Sequence, residues 1–356
     1  MRQARLLLNG KDKNSGQAID IESDGYYYCA SYLADKSCSF GEEEKNHLHD
    51  VMRRVERFSG VEVVTYCFMS DYIHLLIRVP AANRLPKMEF SELESELQML
   101  HGIRKGEPSG FLQEFEQADA SGSSMQKKKL LEKYELRRGS LGSFMKEFKQ
   151  RFTQWFNGKQ NRRGTLWDNR FKSTIVQPTK EALMVVAAYI DLDPLREGLV
   201  SDPADYPWCG YAEAMSGNAV ARRGLTRIFD QDSIGTSRSL QWKTLLEKYQ
   251  PILFNDSTQT ESHEEATADD EVKSDKKGRK KKDQKPLLPI SELLRSRSIR
   301  YFGDGAIFGD TEFIEALFEA NRERYGPKRK SGAREMKGAK WGKLRVLRDL
   351  RKNVIE

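Results

Sequence analysis

Two short spacings in this chain hold residues of types that do chemistry. Tyr189 and Asp193 stand four residues apart in Ala188-Tyr189-Ile190-Asp191-Leu192-Asp193. A helix puts residues i and i+4 on one face, so a phenol and a carboxylate would share a surface. Tyr72 and His74 flank Ile73 in an apolar run that ends at Pro80. Alternate residues of a strand face one side, so this pair would share another surface. Imidazole and carboxylate ligate divalent cations, and such a cation acts as Lewis acid and template. A tyrosine hydroxyl acts as a covalent nucleophile. The phenol of Tyr72, with an ordinary pKa near ~10, is a poor ligand for a hard cation at neutral pH. Each residue alone also has a plainer reading. A helical tyrosine is commonly a half-buried core residue, and a lone histidine in an apolar strand is commonly structural.

The elements that must position these residues follow from periodicity. A strand is expected over Tyr26 to Tyr32, then a helix from Phe40 to Gly60 with His47, Leu48, Val51, Met52 and Val55 at helical spacing. Val61 to Phe68 and Tyr72 to Val79 read as a hairpin around Met69-Ser70-Asp71. Phe90 to His101 and Met125 to Leu136 read as helices. Ser140 caps an amphipathic helix carrying Phe144, Phe148, Phe152 and Trp155, and Asn157-Gly158 stops it. Phe171 to Gln177 reads as a strand, and Thr179 caps the helix that carries Tyr189. The expected fold is α+β, an antiparallel sheet with helices on one face.

The chain has 356 residues, 38% of them hydrophobic and 32% charged, a length for two domains or one large domain with tails. Net charge is +7 and the pI is near 9.0, a mild basic excess compatible with a polyanionic partner. Cys29, Cys38, Cys67 and Cys209 show no CxxC spacing and no histidine at zinc-ligand spacing, so they read as buried, reduced thiols. The N-terminal apolar run is too short for a signal peptide or membrane span, so a cytoplasmic protein is expected. Residues 257–285 join an acidic block to Lys276-Lys277-Gly278-Arg279-Lys280-Lys281-Lys282 and read as a disordered linker. After it, Ile290 to Phe302 and Asp310 to Tyr325 read as two helices around Gly303–Gly309, with a last helix over Arg334 to Lys352. The pair suits either a helix-turn-helix or a plain helical hairpin. The expected order is an N-terminal tail (1–20), a main domain (21–215), a helical extension (216–256), the linker, and a helical extension over 286–356.

A basic and aromatic neighbourhood lies between the two spacings. Arg151, Lys159, Arg162, Arg163, Arg170 and Lys172 surround Trp155, Trp167 and Phe171. Basic groups neutralise phosphates, and aromatic faces give bases a stacking platform. The other reading makes the aromatics core and the charges a solvated face.

Three segments taken in order resemble the single-tyrosine HUH transposases, most closely the REP-associated tyrosine transposase branch. They are Ser70-Asp71-Tyr72-Ile73-His74-Leu75-Leu76-Ile77-Arg78-Val79-Pro80, then Gly164-Thr165-Leu166-Trp167-Asp168-Asn169-Arg170-Phe171-Lys172-Ser173, then Ala188 to Val200. The resemblance spans about residues 20 to 215. It implies an HUH, ferredoxin-like fold and a DNA nuclease and strand transferase working through a 5′-phosphotyrosine. Tyr189 matches the nucleophile, His74 the second metal-binding histidine, and Asp193 a ligand position usually filled by Asn or Gln. Tyr72 stands where the first histidine is expected. The resemblance further implies Mg²⁺ or Mn²⁺, a single-stranded or hairpin DNA partner, and either a monomer or a homodimer. With one ligand replaced, a hairpin-binding protein without efficient cleavage is the alternative. A transcription regulator acting through the C-terminal helices is a third reading.

Overall fold

The computed structural model describes residues 10–11, 18–19, 23–35, 37–102, 110–232, 237–254, 287–296 and 299–348. The linker expected over 257–285 and most of the N-terminal tail lie outside the described residues. Two short strands, β1 (Gly10–Lys11) and β2 (Ala18–Ile19), pair with each other. The main sheet has six strands: β3 (Gly25–Tyr32), β4 (Glu62–Phe68), β5 (Tyr72–Val79), β6 (Lys172–Val176), β7 (Gly305–Gly309) and β8 (Arg345–Arg348). Their order across the sheet is β4-β5-β3-β6-β7-β8. All neighbours are antiparallel except β6 and β7, which run parallel.

Helices cover both faces of this sheet, not one. On one side α1 (Glu42–Ser59), α2 (Phe90–His101) and α5 (Leu141–Lys159) pack with α3 (Gly110–Ala120) and α4 (Ser124–Glu135) beyond them. Leu48, Val51, Phe144, Phe148 and Phe152 meet Tyr27, Cys29, Leu75 and Ile77 there. On the other side lie α6 (Lys180–Asp191), α7 (Asp193–Arg196), α8 (Gly210–Met215), α9 (Ala219–Thr226) and α10 (Arg238–Phe254). Tyr26, Tyr28, Ala30 and Leu76 face Ala187, Ile190, Leu225 and Tyr249 in this second core. The cause is visible in the strands. Tyr26 to Ser31 and Ile73 to Val79 are buried at every position, and a strand apolar at both parities must be covered on both faces.

The C-terminal region also departs from expectation. Helices α11 (Ile290–Ser296), α12 (Arg300–Asp304) and α13 (Thr311–Ala320) form, but Gly305–Gly309 is strand β7 and not a turn between helices. Ile307 and Phe308 are both buried, one in each core, as alternation in a central strand demands. Within the expected last helix the described residues instead form β8, with Val346 and Leu347 again pointing into opposite cores. The region thus extends the main sheet, and a strand stands where a helix-turn-helix reading needs a turn.

Helix α9 lies almost on the backbone of β4 where that strand bulges between Val63 and Thr65. A Cβ on Gly224 would meet the Val63 carbonyl oxygen at 2.4 Å and that of Val64 at 2.9 Å. Alanine gains roughly 1 kcal/mol of helix propensity there. Overpacking against backbone costs about 1–3 kcal/mol. The clash wins, and Gly224→Ala is expected to lower the urea midpoint; an unchanged or raised midpoint would contradict this close packing.

Candidate functional site

Helix α6 starts where Thr179 Oγ1 accepts the Ala182 N–H, an N-cap as the sequence suggests. It ends at Asp191, and Pro194, with no N–H to give, opens the short α7. Tyr189 and Asp193 sit on either side of this joint, over the face of β5 that carries Tyr72 and His74. The four residues, drawn from two distant segments, meet. His74 Nε2 lies 3.2 Å from Asp193 Oδ2. The Tyr72 hydroxyl donates to the same oxygen at 2.7 Å. The Tyr189 ring centroid is 6.1 Å from that of His74. The group is enclosed: Tyr189 is 7%, Asp193 4% and His74 2% exposed.

Arg196, three residues after Asp193, ties the group together. Its Nη2 donates to Asp193 Oδ1 at 2.5 Å and to the Tyr189 carbonyl at 2.6 Å. Its Nη1 donates to the Leu294 carbonyl of α11 at 2.8 Å. The guanidinium carbon stands 4.4 Å from the Tyr189 ring centroid, and Phe302 of α12 packs on that ring at 4.8 Å. Burial pushes the Asp193 carboxyl up, but His74, Arg196 and the Tyr72 hydrogen bond outweigh it and hold it well below the usual carboxylate range. Burial, then the Asp193 charge and hydrogen bond, drive the Tyr72 hydroxyl far above its ordinary value. Tyr72 is therefore a proton donor to Asp193 and not an anionic ligand.

Cys67 joins the same group. It is the direct cross-strand partner of His74, and donor atoms of Cys67, His74 and Asp193 all lie within 4.8 Å of one another. These residues fit a divalent cation as a class. One thiol and one imidazole beside a single carboxylate do not make the oxygen-rich set that Mg²⁺ or Mn²⁺ takes.

The basic residues divide. Arg163, Arg170 and Lys172 are exposed. Arg162 is half-buried and donates to Asn157 and to the Thr165 carbonyl. Lys159 bridges Glu43 at 2.6 Å and Glu44 at 2.7 Å. Two expected DNA contacts turn inward. Arg151 pairs with Glu147 at 2.6 Å and lies 3.1 Å from His101. Trp167 is 6% exposed and its indole N–H donates to Thr153 Oγ1 at 2.9 Å, so its ring belongs to the core. Among the described residues, an aromatic that is exposed beside this group is instead Tyr32, at 36%. The Lys172 ammonium lies 5.2 Å from its ring centroid, and the Tyr72 ring is 5.6 Å away. Tyr32, Cys67 and Arg196 were not singled out from sequence. Only Arg196 had a local signal, its i+3 spacing from Asp193.

Comparison with known proteins adds one family match, over part of the chain. Residues 26–90, which carry β3, α1, the β4–β5 hairpin and both Tyr72 and His74, match the family described as Transposase IS200 like. Over this stretch, under a fifth of the chain, the protein is similar to that family. A solved structure described as a REP-associated tyrosine transposase bound to a REP hairpin aligns over 62% of this chain and 90% of its own, at 12% identity and a TM-score of 0.35. No curated protein matches the chain. The transposase-like segment supplies one wall of the site, and α6 and α7, beyond the matched residues, supply the other. Among the described residues no helix is long and apolar enough to cross a membrane.

Proposed function

We propose that the protein is a transposase-like enzyme that cuts and rejoins single-stranded or hairpin-forming DNA through Tyr189. The observation that carries this reading is the meeting of Tyr189, His74 and Asp193 in one enclosed group beside the transposase-like hairpin. In the reaction the Tyr189 hydroxyl oxygen bonds to phosphorus and the P–O3′ bond breaks. The tyrosine loses a proton and the 3′ oxygen gains one, leaving a 5′-phosphotyrosine and a free 3′ hydroxyl. The ester keeps the bond energy needed for rejoining. Arg163, Arg170 and Lys172 hold the backbone, and Tyr32 offers a ring to an unpaired base. The DNA class follows from the sequence resemblance.

A second reading has its own observation. Arg196 and Tyr72 already occupy both oxygens of Asp193, and Phe302 and Arg196 cover the Tyr189 ring. A protein closed in this way binds DNA without cutting it. The full chain, mixed with labelled hairpin-bearing single-stranded DNA and Mn²⁺ or Zn²⁺, separates the two. A denaturation-resistant protein–DNA band that disappears in Tyr189→Phe is the expected result. Tyr72→His should raise its yield about 10–100-fold, the range over which metal-site partners change activity. A hairpin gel shift with no covalent band in parent or Tyr72→His supports the binding protein and rejects the enzyme.

A further inference from the structure

We infer that Cys67, His74 and Asp193 form a site for a borderline, thiophilic divalent cation of the Zn²⁺ class, in place of the hard cation that the sequence resemblance implies. Sequence spacing hid it, because Cys67 and His74 lie in different strands and meet only through register. Three observations carry it. The donor atoms of a thiol, an imidazole and a carboxylate lie within 4.8 Å of one another, all buried. The His74 Nε2 is buried without a hydrogen-bond partner, although it sits 3.2 Å from Asp193 Oδ2, so a buried ring nitrogen stands against the carboxylate with its pairing incomplete. Its other ring nitrogen already has an outer partner, since the Tyr28 hydroxyl stands 3.5 Å from Nδ1. Metal-bound histidines characteristically have such a partner on the second nitrogen.

The distances suit one ion. Zn–S near ~2.3 Å and Zn–N near ~2.0–2.1 Å put tetrahedral donors about 3.5 Å apart, so the widest pair must close by roughly 1 Å. Asp193 can keep Arg196 on Oδ1 while Oδ2 turns to the cation. On binding, the Cys67 S–H bond breaks, the proton goes to solvent and the sulfur–metal bond forms, leaving a fourth position for water. The donor chemistry decides the class of ion: thiolate and imidazole select Zn²⁺ or Co²⁺ over Mg²⁺ and Mn²⁺. Tyr72 is compatible because a three-ligand site does not need it.

The test uses the purified full chain, stripped of metal and titrated with Co²⁺ and Zn²⁺. One equivalent of Co²⁺ should bind with a sulfur-to-cobalt charge-transfer band in the near ultraviolet and the visible bands of a tetrahedral site, and Zn²⁺ should displace it. Cys67→Ser should remove the charge-transfer band and weaken binding at least ~100-fold, since losing an outer partner alone costs 10–100-fold. Tyr72→Phe, which removes only an outer partner of Asp193, should keep the charge-transfer band and weaken binding no more than about 10–100-fold, and a retained band guards against a general loss of structure. Co²⁺ binding without a sulfur band, equal binding by Cys67→Ser, or binding of Mn²⁺ in preference to Zn²⁺ would each overturn the inference. A chain that binds Zn²⁺ through Cys67 yet forms no DNA adduct would reject the nuclease reading and leave this site standing.

Discussion

Arg196→Met should lower stability by about 3–5 kcal/mol, the usual cost of stranding one partner of a buried ion pair. The side chain of Arg196 is 4% exposed and that of Asp193 6%. Removing the guanidinium takes away a charged donor from Asp193 and the donors to the Tyr189 and Leu294 carbonyls, so α6, α7 and α11 lose a common tie. Methionine fills the volume but neutralises nothing. The Asp193 carboxylate is then left with His74 and the Tyr72 hydroxyl. The double variant Arg196→Met with Asp193→Asn removes both charges, and it should be more stable than Arg196→Met alone. That recovery separates a stranded charge from lost packing, because packing losses would add. The pH dependence has a definite sign. Asp193 is held below its usual range in the folded protein. Its pairing therefore contributes stability above the unfolded value near ~3.9 and loses it as pH falls further. The penalty of Arg196→Met should shrink under acid conditions for that reason. Urea unfolding of the three variants at neutral and acid pH reads all of this. Purely additive losses would remove the buried ion pair from the account.

How much of this was legible in the sequence depends on whether the signal was local. The bounds of β5 and α2 fall where alternation and helical spacing put them, and Ser140, Thr179 and Asp310 cap helices as their types suggest. The pairs Tyr72/His74 and Tyr189/Asp193 were legible because each rests on one local period. Strand β7 was not, because Gly305 to Gly309 is short and glycine-flanked, and its partner β6 lies 132 residues earlier in the chain, Ile175 pairing with Ile307. The second helical face followed from apolar runs at both parities in β3 and β5, a signal that was present but read as one-sided. Cys67 could not be placed with His74 without the register of two strands, one of them bulged. Trp167 shows the opposite error. Basic neighbours suggested a stacking surface, but its indole hydrogen-bonds inside the α5 layer.

Asp191→Asn should change the pH dependence of stability more than any other single substitution near the site. Asp191 is fully buried between α6, β4 and α10, where it accepts from the Thr65 hydroxyl at 2.5 Å and the Tyr249 hydroxyl at 2.6 Å. Burial pushes its carboxyl up to about 7, and the hydrogen bonds from Thr65, Tyr249 and the Tyr211 backbone offset only part of that. This is the reverse of Asp193. The folded protein holds a proton that the unfolded chain releases near ~3.9, so stability is fully present below that value and falls as pH rises towards 7. At ~1.36 kcal/mol per unit the loss amounts to about 4 kcal/mol. Asparagine keeps a neutral group of the same shape and has no proton to lose. The gap between Asp191→Asn and parent should therefore move by about 4 kcal/mol in favour of the variant between pH 4 and pH 8. Taking the difference from parent cancels Glu56, which burial also raises. A gap that stays constant across this range would mean that Asp191 is ionised throughout. The consequence reaches the site, because Asp191 stands between Tyr189 and Asp193 in sequence and anchors the last turn of α6 to β4. Charging it loosens the helix end that holds the tyrosine, so any DNA-adduct chemistry that requires Tyr189 to leave the cover of Phe302 and Arg196 should be faster in the parent above pH 7 than in Asp191→Asn.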